Sequence, residues 1–210
     1  MDISGVWLSL SRGTHKDSFD LTATGAAINA AYDPIYDDPH LRCVTGGMIR
    51  MEDGPFGQEI IQRDNYILVL YQYFHEVRRI WIDRRDFPED IENAYLSMGY
   101  SIGHSEGSTL VIETRGMKPT VWDASGMPTS NSAVVIERKY LDGQGRLHSD
   151  YFLHDPVNFS GPSTATPTGN AAAPPSLQSH PATHTRSIEV WISKIGSTSI
   201  GGAPAADSKS

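Results

Sequence analysis

The stretch that decides the fold is SAVVIERKYLDGQGRLHSDYFL, residues 132–153. Its two ends, Ser132–Tyr140 and Arg146–Leu153, are rich in the β-branched and aromatic residues that strands favour. Between them, Asp142-Gly143-Gln144-Gly145 supplies the aspartate and glycines that a tight turn needs. The stretch therefore predicts a β-hairpin.

The residues before this hairpin are also mostly strand-like, with turn residues between short apolar runs. The predicted strands are Gly5–Leu10, Glu59–Gln62, Tyr66–Phe74, Val77–Asp83 and Ser108–Thr114, with a turn at residues 63–65. A single helix is predicted at residues 21–31, where Thr22 can cap it and Pro34 stops it. Short strands with almost no helix predict an all-β fold, an antiparallel barrel or sandwich.

One segment does not fit short strands. Tyr66 to Asp83 runs for eighteen residues without glycine, proline or asparagine, whereas a typical strand has about 5–6 residues. The segment is either one long, coiled barrel strand or two pieces joined by a bulge near His75-Glu76. We look for function first at this polar pair.

Composition divides the chain. Residues 160–187 are almost all Pro, Gly, Ser, Thr or Ala, and such a segment buries too little apolar surface to offset its ordering entropy. We therefore predict a β-barrel domain at residues 1–159 and a disordered linker at 160–187. Residues 188–195 alternate like an extra strand, and 196–210 form a disordered tail.

Charge and cysteine content exclude several classes of protein. A net charge of −8 disfavours nucleic acid and anionic membranes as partners, and a single cysteine excludes an internal disulfide. No apolar run approaches the roughly 18–20 residues of a membrane span. The start, MDISGVWLSL, lacks the basic and apolar regions of a signal peptide, so we expect a cytoplasmic chain.

Cofactor and metal motifs do not occur in the sequence. There is no Gly-x-Gly-x-x-Gly, Walker loop or Gly-x-Ser-x-Gly elbow. A metal site needs three or four convergent ligands; His75, His104, His148 and His154 could converge in space, but nothing in their spacing indicates it. We therefore expect neither a cofactor nor a metal.

Several short motifs carry a family resemblance over residues 3–159. Gly5-Val6-Trp7 is similar to the Gly-x-Trp signature of lipocalin-like (calycin-like) barrels. The further motifs are Tyr71–Trp81, Pro88-Glu89-Asp90, Gly99–Gly103, Glu106–Thr114 and Asp155-Pro156. Together they resemble a widespread family of hypothetical β-rich proteins, which implies a lipocalin-like barrel but no shared reaction. A weaker analogy, at the level of the fold alone, is to cofactor-free fungal natural-product cyclases and pericyclases.

Candidate site residues lie on the long segment. On one extended strand, Tyr71, Tyr73, His75, Arg79 and Trp81 share a face, and Glu76 and Arg78 share the other. His75 is the candidate acid/base group, Arg78 or Arg79 the anion stabiliser, and Glu76 a further catalytic candidate. The aromatic residues would form substrate walls, with His104 at a barrel mouth and Trp122 at a barrel end. The alternative is that the rings pack across strands and the arginines pair with Glu76 or Asp83.

These residue types predict a cofactor-independent enzyme of secondary-metabolite biosynthesis. Its substrate would be a hydrophobic, polyketide- or terpenoid-like small molecule. Its reaction would be a dehydration, an isomerisation or a cyclisation, and the cyclisation could be a hetero-Diels–Alder addition. The alternative is a non-catalytic lipocalin-like carrier with the same pocket. Whether the chain forms a homodimer is left open.

Overall fold

The computed structural model describes residues 2–9 and 20–161, together with the backbone of two short strands that follow. These residues belong to one compact unit, Met1–Ala173. The predicted strand at 188–195 and the predicted tail at 196–210 lie outside the described residues.

The described part of the chain consists mainly of β-strands, as the sequence predicts. Its strands are β1 (Gly5–Ser9), β2 (Gln58–Gln62), β3 (Tyr66–Tyr71), β4 (Val77–Trp81), β5 (Tyr100–Glu106), β6 (Thr109–Arg115), β7 (Thr120–Val121), β8 (Pro128–Thr129), β9 (Val134–Leu141), β10 (Leu147–His154), β11 (Ser163–Ala165) and β12 (Asn170–Ala172). Its α-helices are α1 (Ala23–Ala31) and α2 (Gly47–Glu52), and its 3-10 turns are Pro39–Arg42 and Ile91–Asn93.

Ten of the described strands form one curled sheet. The strands pair in the order β1-β2-β3-β4-β5-β6-β9-β10, β12 pairs with both β10 and β1, and β11 pairs with β10. The short strands β7 and β8 pair separately. This arrangement confirms an all-β, barrel-like fold. One pair departs from the antiparallel prediction, because β4 and β5 run parallel, with Ile80 opposite Ser101.

The hairpin predicted from residues 132–153 is confirmed. Strands β9 and β10 pair antiparallel from Leu141 opposite Leu147 to Val134 opposite His154. The Asp142 carboxylate closes the turn, because its Oδ1 accepts hydrogen bonds from the backbone N–H groups of Gln144 and Arg146, both at 2.9 Å. This is the local turn bonding that aspartate favours.

The long segment from Tyr66 is not a continuous strand. It folds into the hairpin β3–β4, in which Leu70 lies opposite Val77 and the Tyr71 N–H donates to the Glu76 carbonyl at 2.9 Å. Phe74 and His75 occupy the turn with φ of +54° and +53°. The predicted long strand, and the predicted sharing of faces along it, are therefore wrong. The chain does bend near His75, but through a turn rather than a bulge.

The structure has one more helix than the sequence predicts, and its sheet contains two short strands after residue 159. The predicted helix is confirmed as α1, where the Thr22 hydroxyl accepts a hydrogen bond from the Gly25 N–H at 3.0 Å. Helix α2 was not predicted, so the expected single helix is one too few. Strands β11 and β12 lie inside residues 160–187, so the sheet extends past the predicted boundary at 159.

Two glycines with similar backbone angles allow a stability prediction. Gly116 has φ +68° and a Cβ there would lie 2.4 Å from the Ile91 carbonyl oxygen, whereas Gly107 has φ +60° and open space around it. We expect Gly107→Ala to lower the free energy of unfolding by about 1 kcal/mol through its backbone angle alone. Gly116→Ala should cost about 3 kcal/mol because the clash adds to the angle. Urea unfolding of both variants measures this, and equal losses would contradict the packing around Gly116.

Candidate functional site

Four charged side chains meet in the interior of the curled sheet. They are Glu52 from α2, Arg78 from β4, and Glu137 and Lys139 from β9, each with a side chain no more than 1% exposed. The buried phenols Tyr71 and Tyr151 join them. We call these six residues the interior cluster. Charged side chains are almost never fully buried unless they are paired, so this cluster is the most unusual feature of the described residues.

Strand alternation places these polar groups inside. In β9, Val135, Glu137 and Lys139 are buried and point to the same face, since side chains of a strand alternate. In β10, Ser149 and Tyr151 lie in phase with the buried Leu147 and Leu153. The interior face is therefore apolar at its edges and charged at its centre.

Arg78 is held from three directions. Its Nε donates to the Ser101 hydroxyl at 3.1 Å and its Nη1 to Glu52 Oε1 at 2.9 Å. Its Nη2 donates to the Thr114 hydroxyl at 2.8 Å and also to Glu137 Oε2. Hydrogen bonds to charged partners on several sides fix the planar guanidinium in one orientation.

The Glu52 carboxylate accepts four hydrogen bonds from the sheet. Oε1 accepts from Arg78 Nη1 at 2.9 Å and from the Tyr71 hydroxyl at 2.5 Å. Oε2 accepts from Lys139 Nζ and from the Tyr151 hydroxyl, both at 2.9 Å. We call these four donor groups the carboxylate cradle. Lys139 is further bonded to the Ser149 hydroxyl at 2.9 Å.

Charge balance explains why Glu52 stays ionised. Burial alone would raise the pKa of Glu52, but the positive charges of Lys139 and Arg78 and the hydrogen bonds from Tyr71 and Lys139 lower it to about 2. The cluster then contains two carboxylates and two cations. Without Glu52 the sheet alone would carry Arg78 and Lys139 against the single carboxylate of Glu137, an excess of one positive charge.

Burial and neighbouring charges also shift the pKa values of other groups in the interior cluster. Burial and the negative charge of Glu52 raise the pKa of Tyr71 and of Tyr151 well above the usual value of a phenol. Burial opposes the charged form of Arg78, but Glu137, Tyr71 and Glu52 outweigh it and raise the pKa of Arg78 well above its ordinary value. At neutral pH the two phenols are therefore hydrogen-bond donors and the guanidinium is fully charged.

Helix α2 carries Glu52 into the end of the sheet at which β3 ends and β4 begins. The backbone of Gly47 lies against Ser97 and Thr120, which precede β5 and follow β6 at that same end. Met48 and Met51 are buried in the core beside Glu52. Arg50 points the other way and forms two hydrogen bonds of 2.9 Å with the Asp38 carboxylate. The short helix thus packs against this end of the sheet and places Glu52 in its interior.

Two buried acceptors near the cluster lack a well-formed hydrogen bond within the described residues. Gln58 is 6% exposed, lies directly opposite Tyr71 across the β2–β3 pair, and its Oε1 has no partner. Glu137 Oε1 lies 3.3 Å from Lys139 Nζ as an ion pair but without a well-directed hydrogen bond. Leaving buried polar atoms unpaired costs about 1–3 kcal/mol each, so such atoms need an explanation.

The structure brings two of the sequence candidates, Tyr71 and Arg78, into the interior cluster. His75 is exposed in the β3–β4 turn, and its predicted place on a substrate-lining strand face is wrong. Arg79 is also exposed, with its guanidinium 5.4 Å from the Tyr66 ring centre and 5.0 Å from that of Trp81. The rings of Tyr66 and Trp81 meet edge to face across the β3–β4 pair, as the alternative interpretation held for the rings. Its expectation for the arginines is wrong for Arg78, which pairs with Glu52 and Glu137 rather than with Glu76 or Asp83.

The remaining candidates are dispersed. Tyr73 stacks on Phe56 at 4.1 Å between ring centres. Burial raises the pKa of Glu76, opposed by a hydrogen bond with Thr45. His104 lies within β5, and its Nε2 is 3.2 Å from Glu106 Oε1 at the surface. Trp122 is 2% exposed and lines a small cleft beside the start of α2.

Four members of the cluster were not among the sequence candidates. Glu137, Lys139 and Tyr151 had a detectable signal, because each stands in phase with core aliphatic residues of its strand. Glu52 had none, because the residues of α2, GMIRME, carry no pattern that marks a helix pointing inward.

The described residues contain neither a cluster of metal ligands nor a helix that could span a membrane. Across residues 2–9 and 20–161, no three His, Cys, Asp or Glu side chains lie close enough to hold a metal ion. Neither α-helix in that part of the chain has the length and apolar character to cross a bilayer.

Comparison with known proteins identifies no relative. No protein-family model, no curated protein and no solved structure matches this chain. The resemblance to lipocalin-like barrels therefore stays a prediction, and the interior cluster is the basis for any functional inference.

Proposed function

We propose that this protein is a cofactor-independent enzyme that takes a small, largely apolar molecule into the lipocalin-like interior of its sheet. The observation that supports the proposal is the interior cluster: two cations and two phenols that all bond to one carboxylate in the interior of the sheet. A buried ion network of this kind is weak evidence for stability, because apolar side chains of similar volume are often as good or better. Perturbed, buried ionisable groups are also typical of functional sites.

The chemistry that such groups support is stabilisation of a developing oxyanion. Fixed donors in a dry site stabilise negative charge without reorganising during the reaction. Arg78 and Lys139 would provide charge, and Tyr71 and Tyr151 would provide hydroxyl donors, to an enol, enolate or leaving hydroxyl oxygen. Dehydration, isomerisation or cyclisation of a polyketide- or terpenoid-like molecule, including a hetero-Diels–Alder addition, fits this donor set. The acid/base role expected of His75 does not carry over, because His75 is exposed in a turn.

A carrier without catalysis is the second candidate, and the resolved pKa shifts favour it. A general acid or base works best with a pKa near the working pH. In the closed cluster the pKa of Glu52 is lowered to about 2, and those of Tyr71 and Tyr151 are raised well above the usual value. These groups hold charge and hydrogen bonds but do not exchange protons near neutrality, which suits binding.

A neutral fluorescent probe tests small-molecule binding. We expect N-phenyl-1-naphthylamine to bind the full chain saturably with enhanced, blue-shifted emission. Met51→Ala, which removes a buried side chain beside the cluster, should tighten binding severalfold because it enlarges the space. Leu96→Ala, at a side chain that is 39% exposed, serves as the control and should leave binding unchanged. Absence of saturable binding, or equal effects of the two variants, would overturn the proposal.

Turnover separates the enzyme from the carrier. Compounds that displace the probe are incubated with the protein and recovered for mass spectrometry and chromatography. Loss of one water, or an unchanged mass with a new retention time, supports the enzyme, and Arg78→Lys should then keep binding but lose turnover. Recovery of every displacing compound unchanged supports the carrier.

A further inference from the structure

We infer that the carboxylate cradle is a binding site for the carboxylate of a compact, partly apolar monocarboxylic acid, and that Glu52 is its resident occupant, which the ligand displaces. The inference rests on the proposed function and names its ligand class. It follows from where the four donors come from, how the charges balance and how α2 is attached.

All four donors belong to strands of the sheet, whereas the acceptor, Glu52, belongs to helix α2. Tyr71 ends β3, Arg78 lies in β4, and Lys139 and Tyr151 lie in β9 and β10. Each carboxylate oxygen of Glu52 receives one charged and one phenolic donor. The sheet therefore presents a complete receptor for a planar, two-oxygen anion, and any carboxylate placed there meets the same four groups.

Charge selects a monoanion. With Glu52 withdrawn, Arg78 and Lys139 face Glu137 alone, so one negative charge restores neutrality. A neutral ligand would leave a buried positive charge uncompensated, which is costly in a low-dielectric interior. A ligand with two negative charges would leave an excess negative charge.

The space vacated sets the size of the ligand. Withdrawal of α2 removes the side chains of Met48, Met51 and Glu52 from the core. The replacement is thus a molecule about as large as those three side chains together, with one acidic end and an apolar body. The unpartnered Oε1 of Gln58, opposite Tyr71, is an acceptor available to a hydroxyl group on such a ligand.

The attachment of α2 suits displacement as a unit. Gly46 precedes the helix, Gly47 begins it with φ +81°, and Gly54 lies just beyond its end. On its outer side the helix is tied to the preceding 3-10 turn, through the Arg50–Asp38 ion pair and through the Gly46 N–H, which donates to His40 at 3.2 Å. The helix and this turn are therefore linked to each other, and Glu52 is the one α2 side chain with ion pairs to the sheet among the described residues.

Chemical rescue tests the cradle. Glu52→Ala removes a methylene and a carboxylate, which together have the size of acetate. We expect sodium acetate to raise the melting temperature of this variant by about 3–6 °C at a tenfold excess over its dissociation constant. Acetamide and sodium chloride at equal concentration should not, and Glu89→Ala, at an exposed glutamate, should show no acetate effect. If Glu52→Ala folds only in the presence of acetate, the inference is supported; equal effects of acetate and acetamide would overturn it.

Hydrogen exchange on the unmodified chain tests displacement. We expect saturating octanoate, but not 1-octanol, to speed amide exchange in residues 47–54 at least tenfold while the strands stay protected. No change with octanoate, or the same change with octanol, would overturn the inference. If N-phenyl-1-naphthylamine binds but octanoate does not open α2, this inference fails while the proposed function stands. If the probe does not bind, the proposed function itself fails.

Discussion

Arg78→Leu is expected to lower the free energy of unfolding by about 3–5 kcal/mol, because it leaves Glu52 and Glu137 as buried carboxylates that only Lys139 can neutralise. The variant also removes the guanidinium from the hydroxyls of Ser101 and Thr114, which then keep only the 2.9 Å hydrogen bond between them. Since small domains have about 5–15 kcal/mol in total, this single change should bring the chain close to unfolding at room temperature. Urea titration monitored by circular dichroism measures the loss.

The neighbouring arginine provides a matched control. Arg79 is exposed and contacts the rings of Tyr66 and Trp81, so Arg79→Leu should cost no more than about 1 kcal/mol. Adding Glu137→Leu to Arg78→Leu should restore part of the loss, because a carboxylate without its partner is then removed. Equal costs for the two arginines would contradict the buried placement of Arg78.

The second large effect is a pH dependence that belongs to Glu52. Its pKa is lowered from 4.5 to about 2 in the folded chain, so the unfolded chain binds this proton first as the solution is acidified. The stabilisation is complete above about pH 5 and is lost as pH falls towards 2, and it amounts to roughly 3 kcal/mol. Glu52→Gln cannot titrate and should lack this part of the acid response.

The difference in the free energy of unfolding between Glu52→Gln and the unmodified chain is therefore expected to shrink as the pH falls. Urea unfolding at pH 7, 5, 4 and 3 gives the free energy of unfolding of each, and the gap should be largest at pH 7 and smallest at pH 3. Glu89→Gln, at an exposed side chain, should follow the unmodified protein at every pH. A gap between Glu52→Gln and the unmodified chain that stays constant from pH 7 to pH 3 would show that Glu52 is not held ionised by the cluster.

The parts of the fold that could be predicted are those with local signals. The β9–β10 hairpin was evident because Asp142 and two glycines supply the turn within the stretch itself. Division of the Tyr66–Asp83 segment near His75 was one of two alternatives, but its turn was not recognised because Phe74 and His75 adopt positive φ there, where glycine or asparagine would be expected. Treating the segment as one strand then placed Tyr71 and Arg78 on opposite faces, although the turn brings both inside.

The candidate site depended on contacts that no local pattern encodes. Tyr71 and Arg78 were identified as functional candidates from their strand, but their common partner Glu52 lies on a helix without sequence signals. Lys139 is 87 residues from Glu52 along the chain, so the ion pair exists only after the sheet has curled. The alternation of β9, with Glu137 and Lys139 in phase with Val135, was the one signal from which the interior charge could have been inferred.

The measurement that tests this account most directly is a crystal structure of the full chain with octanoate. The octanoate carboxylate is expected between Arg78 and Lys139, with the hydroxyls of Tyr71 and Tyr151 donating to its oxygens and Glu52 withdrawn together with α2. Octanoate bound elsewhere on the chain, with Glu52 still seated in the carboxylate cradle, would contradict it.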